Sequence, residues 1–82
     1  MKVTVSERAE KQLRRVSKLK QLIIASKLKS LDGGEKLKGY KDVYRTRAGD
    51  YRIVYRRFGD EAHVVLIGHR KDVYELLVQL LG

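Results

Sequence analysis

The stretch Tyr44–Arg57, YRTRAGDYRIVYRR, reads as a β-hairpin and puts five arginines into fourteen residues. Its arms carry β-branched and aromatic side chains at alternate positions, and Ala48-Gly49-Asp50 between them has the chemistry of a tight turn. Alternation assigns the faces. In the first arm Arg45 and Arg47 share a face with Val43, while Tyr44 and Thr46 point the other way. In the second, Tyr51, Ile53 and Tyr55 share one face, and Arg52, Val54 and Arg56 the opposite one. If the Tyr51/Ile53/Tyr55 face is packed, the turn gathers Arg45, Arg47 and Arg52 on the open face. Guanidinium groups at such spacing repel, and phosphates, which present charge and acceptors together, give a reason to gather them. The alternative is a solvated face on which the arginines pair with Asp42, Asp50, Asp60 and Glu61. Arg56 and Arg57, at the strand end, fit that second description.

Outward from the hairpin the pattern predicts an α+β domain. His63 to Gly68 is a third strand, apolar on both faces and so placed inside the sheet; Phe58-Gly59-Asp60 is the turn before it. Together with Val43 to Arg47 and Tyr51 to Arg56, it makes a three-stranded antiparallel meander. Upstream, Lys2 to Val5 alternates and is β-branched, a short first strand. Ser6 is an N-cap, and Ala9, Leu13 and Val16 fall on one helical face. A break near Ser17 precedes a second helix with Ile24, Leu28 and Leu31 on one side, ended by Asp32-Gly33-Gly34. Glu35 to Tyr40 reads as a basic connector. Asp72 caps a final helix, Val73 to Leu81, apolar on nearly every side, which either packs on the sheet or meets a partner. The helical hairpin covers one face of the sheet.

Eighty-two residues amount to one small domain over residues 1–82, with a thin core. The chain has no cysteine, which excludes disulfides, thiolate nucleophiles and thiolate metal sites. No apolar run approaches the ~20 residues that span a bilayer. The N-terminal MKVTVSERAEKQ turns charged too early for a signal peptide, so a cytoplasmic location is expected. The net charge is +9, which favours polyanionic partners. Residues 1–41 carry 12 basic and 4 acidic side chains and residues 42–82 carry 7 and 6. The first half is mostly lysine, suited to diffuse attraction. The second is mostly arginine, suited to bidentate contact with phosphate. His69 and Arg70 close the third meander strand just before the last helix, with Tyr74 following. His69 is suited by its ordinary pKa to proton transfer near neutrality; His63, beside an acidic turn, reads as a surface residue. Two distant histidines and scattered carboxylates show no metal-ligand spacing, and no phosphate-binding glycine loop is present.

Two segments, KLKGYKDVYRTRAGDYRIVY (Lys36 to Tyr55) and VVLIGHRKDVY (Val64 to Tyr74), resemble the RelE/ParE toxin superfamily, in particular its RelE side. The resemblance extends over essentially the whole chain. It implies the toxin of a type II toxin–antitoxin pair: a ribosome-dependent endoribonuclease that cuts mRNA in the ribosomal A site without metal or other cofactor. In such enzymes the 2′-hydroxyl attacks the adjacent phosphate to leave a cyclic phosphate and a 5′-hydroxyl. The implied site residues are Arg45, Arg47, Arg52, Arg70 and Tyr74, with His69 as a candidate base. The implied partners are mRNA on the ribosome and an antitoxin protein competing for the last-helix surface, with no membrane and no small molecule. One departure bears on mechanism: the family pattern has lysines where this chain has Arg45 and Arg47. Arginine keeps its proton far above neutral pH and is a poor general base. Two other readings share the fold: a ParE-like toxin that poisons DNA gyrase, and a non-catalytic RNA- or ribosome-binding domain. The grouping of His69, Arg70 and Tyr74 beside three arginines favours RNA chemistry.

Overall fold

The computed structural model describes residues 1–82 as a five-stranded sheet with helices on both faces. The elements in chain order are β1 (Lys2–Val5), α1 (Glu7–Arg14), α2 (Lys18–Leu28), β2 (Glu35–Lys36), β3 (Val43–Ala48), β4 (Tyr51–Phe58), β5 (Glu61–His69) and α3 (Val73–Leu81). Strand order is β1-β5-β4-β3-β2. The meander β3-β4-β5 is antiparallel as expected, and β5 is interior because β1 adds to its far side in parallel. Both hairpins have two-residue turns, Gly49-Asp50 and Gly59-Asp60. The glycines take φ of +63° and +56°, a region that is open to glycine and strained for most side chains.

Each sheet face has its own core. On one, Ile53, Tyr55, Val64 and Ile67 pack with Ala9 of α1, Ile24 of α2 and Leu31. On the other, Val43, Val54 and Leu66 pack with Val73 and Leu77 of α3. The arginine-bearing face is therefore only partly open, with α3 over its middle. α1 begins where Ser6 predicts, its hydroxyl oxygen accepting from the Ala9 amide. Gln12 of α1 accepts from the Ile67 amide, which lies beyond the end of β1. The side chain thus supplies the partner that the short edge strand lacks.

Three local expectations are corrected. α2 ends at Leu28, and Leu31 opens a 3₁₀ turn, Leu31–Gly33. The tighter turn carries Leu31 into the core, where its carbonyl accepts from the Tyr55 hydroxyl. The connector contains β2, whose Glu35 and Lys36 pair with Arg45 and Tyr44; two residues are too few to show a period. Asp72 stands at the N-cap position of α3 but makes no side-chain capping bond, because its own backbone is already helical. No helix is long and apolar enough to cross a membrane.

Candidate active site

Arg47 and Arg52 are direct cross-strand neighbours, and Arg45 faces Val54 on the same side of the sheet. Opposite pairs in an antiparallel ladder bring Cβ atoms to about 4.5–5.5 Å, so alternation alone delivers these three side chains to one face. Their heads then diverge. Arg52 turns back to the hairpin tip, donating from Nη1 to the carbonyls of Gly49 at 3.0 Å and Tyr51 at 2.9 Å. Arg47 is exposed and makes no ion pair or hydrogen bond with another side chain.

Arg45 is the most constrained of the three. Its Nη2 and Nε donate to Oε2 of Glu35 at 3.1 and 3.3 Å. Its Nη1 donates to the Tyr74 hydroxyl from the first turn of α3, and its guanidinium carbon lies 5.5 Å from the centre of the Tyr74 ring. Desolvation acts to lower the Arg45 pKa, but the bonds to Glu35 and Tyr74 outweigh it and hold the group above its ordinary value. Arg45 is a permanent cation here. Because the Tyr74 oxygen accepts from Arg45, its own proton is left free to be donated.

Glu35 is the residue that sequence reasoning missed. It reaches the site only because β2 exists and places it opposite Arg45. Lys27, Gly33, Glu35, Arg45, Thr46 and Arg47 line an open cleft of about 280 Å³. It has no hydrophobic lining residue and holds a single carboxylate among three cations. A glutamate directly after the glycine pair Gly33-Gly34 carries no periodic signal. Only pairing with β3 distinguishes it from other exposed carboxylates.

His69 and Arg70 are not brought into this cleft. His69 pairs with Tyr51 in the ladder and lies on the helical-hairpin face, its ring 5.6 Å from that of Tyr51, edge to face. Its Nδ1 accepts from the Lys71 amide at 3.2 Å, which leaves the neutral ring's proton on Nε2. Arg70 lies beyond the strand end at the hairpin tip, its Nε 3.8 Å from Asp50. Of the four acidic partners the solvated-face alternative names, only Asp50 pairs with an arginine, and that arginine is Arg70; Asp60 meets the N-terminus and Glu61 meets Lys2. No three His, Asp or Glu side chains gather to hold a metal ion.

Residues 3–74 match the family model described as ParE toxin of the type II toxin–antitoxin system parDE. No curated protein matches the sequence. Among solved structures, the RelB–RelE antitoxin–toxin complex from Methanococcus jannaschii is similar at TM-score 0.75 and 24% identity, over 89% of this chain and 96% of that one. A mutant of the E. coli toxin RelE in the free state is similar at TM-score 0.74 and 22% identity, over 99% and 97%. The YoeB dimer from Staphylococcus aureus gives 0.67 and 23%, over 84% and 95%. At these identities the structural likeness concerns the fold, and the sequence match carries the membership. The chain belongs to the ParE toxin family of type II toxin–antitoxin systems, within the RelE/ParE superfamily.

Proposed function

We propose that this toxin is a ribosome-dependent endoribonuclease that cleaves mRNA in the A site by metal-independent attack of the 2′-hydroxyl on the adjacent phosphate. The observation that supports it most is the cleft in which Glu35, Arg45 and Arg47 meet beside Tyr74. Arginines supply charge for a phosphorane but cannot accept a proton. Glu35 is a carboxylate already fixed against Arg45, so it takes the 2′ proton in the role the resemblance gives to lysine. The 2′-oxygen bonds to phosphorus, the bond from phosphorus to the 5′-oxygen breaks, and the Tyr74 hydroxyl donates its free proton to that oxygen. Arg45 and Arg47 hold the charge that accumulates on the phosphoryl oxygens. Solvent resets both proton carriers.

The same reading makes the lysines in and just after α2 the electrostatic approach to the ribosome: Lys18, Lys27 and Lys29 form no ion pair. It places the protein in the cytoplasm and gives it an antitoxin partner; the structural relative from Methanococcus jannaschii is a toxin seen with its RelB antitoxin. The family description favours a second reading, gyrase poisoning in the manner of ParE toxins. Primer extension on mRNA from induced cells separates the two. Codon-phased cuts support the ribonuclease, and gyrase-linked DNA breaks with intact mRNA overturn it.

Glu35→Gln is expected to lower single-turnover cleavage by about 10²–10⁴-fold, the range for loss of a positioned general base. The variant keeps a hydrogen-bond acceptor for Arg45, so binding should change little. If His69→Ala lowers the single-turnover rate that far and Glu35→Gln does not, the base is His69.

A further inference from the structure

We propose that Lys20 and Arg70 form a phosphate subsite whose place is held in the free protein by the carboxylate of Asp50. The two cations come from distant parts of the chain, α2 and the segment after β5, and meet only at the tip of the β3–β4 hairpin. Asp50 divides its oxygens between them: Oδ2 lies 3.8 Å from Lys20 Nζ and Oδ1 lies 3.8 Å from Arg70 Nε. The backbone beneath is locked. The Asp50 carbonyl accepts from the Arg70 amide at 2.8 Å, and Arg52 binds the carbonyls on either side of Asp50. Lys20 is further steadied over the Tyr51 ring at 5.5 Å.

A rigid tip with an exposed carboxylate is suited to exchange. The Asp50 side chain is 58% exposed and the Arg70 side chain 57%, and neither contact reaches hydrogen-bonding distance. Exposed pairs of this kind contribute little stability, so an incoming anion displaces the carboxylate at small cost. A phosphate brings more acceptor oxygens than Asp50 and fits a guanidinium and an ammonium at once. The position also suits a chain of phosphates. Arg47, Arg52 and Gly68 lie in one cross-strand row over β3, β4 and β5, and Arg70 follows two residues after Gly68. A cationic line thus leads from the Glu35–Arg45–Arg47 cleft to the Asp50 tip. An RNA strand with one phosphate in the cleft would bring a neighbouring phosphate to the Asp50 tip, where Lys20 reaches in from the helical-hairpin side over Tyr51. This inference rests on the reading of that face as RNA-binding and adds a subsite with a built-in competitor.

The test measures equilibrium binding of a 2′-O-methyl RNA oligonucleotide, which cannot be cleaved, against salt concentration. Asp50→Asn retains the turn chemistry and should leave the thermal midpoint unchanged; Asp50→Ser is a second variant of the same kind. Either should tighten binding about 5–10-fold, because the phosphate no longer has to displace a carboxylate from Lys20 and Arg70. Adding Lys20→Ala should cancel most of that gain. Unchanged or weaker binding by both folded variants overturns the proposal. So does a gain that survives Lys20→Ala, since a mere change of net charge would behave that way. Cleavage plays no part in this measurement. Inactivity of the wild-type toxin on mRNA would overturn the ribonuclease reading alone, and an inert Asp50 would overturn the subsite alone.

Discussion

Arg47→Ala is expected to slow RNA cleavage by about 10²–10³-fold while leaving the thermal midpoint unchanged or slightly raised. The magnitude is that of removing one preorganised group aimed at charge that develops in the transition state. The separation from stability follows from its surroundings. Arg47 is exposed, has no acidic partner, and faces Arg52 directly across the ladder, so its removal orphans nothing and relieves a like-charge contact. Arg45→Ala is a poorer probe, because it strips Glu35 and Tyr74 of the cation that orients them. Single-turnover cleavage on programmed ribosomes and thermal unfolding of the same samples give both numbers. A normal rate in Arg47→Ala would mean that the scissile phosphate does not sit in this cleft. Arg47→Lys should recover part of the loss, restoring charge without the planar fork.

The second large effect concerns folding. Gly34→Ala is expected to cost about 2–3 kcal/mol, at the upper end for overpacking. A Cβ at Gly34 would overlap the Tyr55 hydroxyl and fall 2.9 Å from the Arg45 carbonyl oxygen. Neither can retreat: Tyr55 is fully buried with its hydroxyl bonded to Leu31, and the carbonyl belongs to β3. Burial is also the first cause of the raised Tyr55 pKa. In a domain of this size each kcal/mol moves the thermal midpoint by roughly 4–8 °C, so the drop should be about 10–20 °C. Tyr55→Phe alone should cost about 1 kcal/mol, the net worth of one hydrogen bond. In the double variant the missing hydroxyl removes the worst overlap, so the combined loss should fall short of the sum. Full additivity would show that the carbonyl contact, rather than the hydroxyl, sets the penalty.

The elements legible in the sequence were those with a period and a turn. Alternation around Gly49-Asp50 placed Arg45, Arg47 and Arg52 on one face, and the doubly apolar β5 declared its interior place. Ser6 announced α1 because an N-cap acts locally. What escaped depended on contacts across the fold. β2 is two residues long and exists only as the partner of β3. With it went Glu35, the one carboxylate of the cleft. His69 was read by its chemistry and its neighbours in the chain, but a strand sends adjacent residues to opposite faces. The ladder pairs it with Tyr51, away from the arginines. Asp72 had the composition of a cap without the backbone geometry that lets a side chain reach back.

The parallel pairing of β1 with β5 sets an order on the birth of the molecule. Lys2 to Val5 finds its partners only at Glu61 to Val64, and contacts so far apart in sequence are slow to close. During synthesis β1 emerges before its partner and waits, unpaired, until β5 has been made. Tyr74, which orients Arg45, comes later still. An incomplete chain therefore carries the lysine-rich helices without the finished sheet or the tyrosine that completes the cleft. Only a chain that has passed Tyr74 can have all of them together, and circular permutants that bring β1 next to β5 should fold measurably faster.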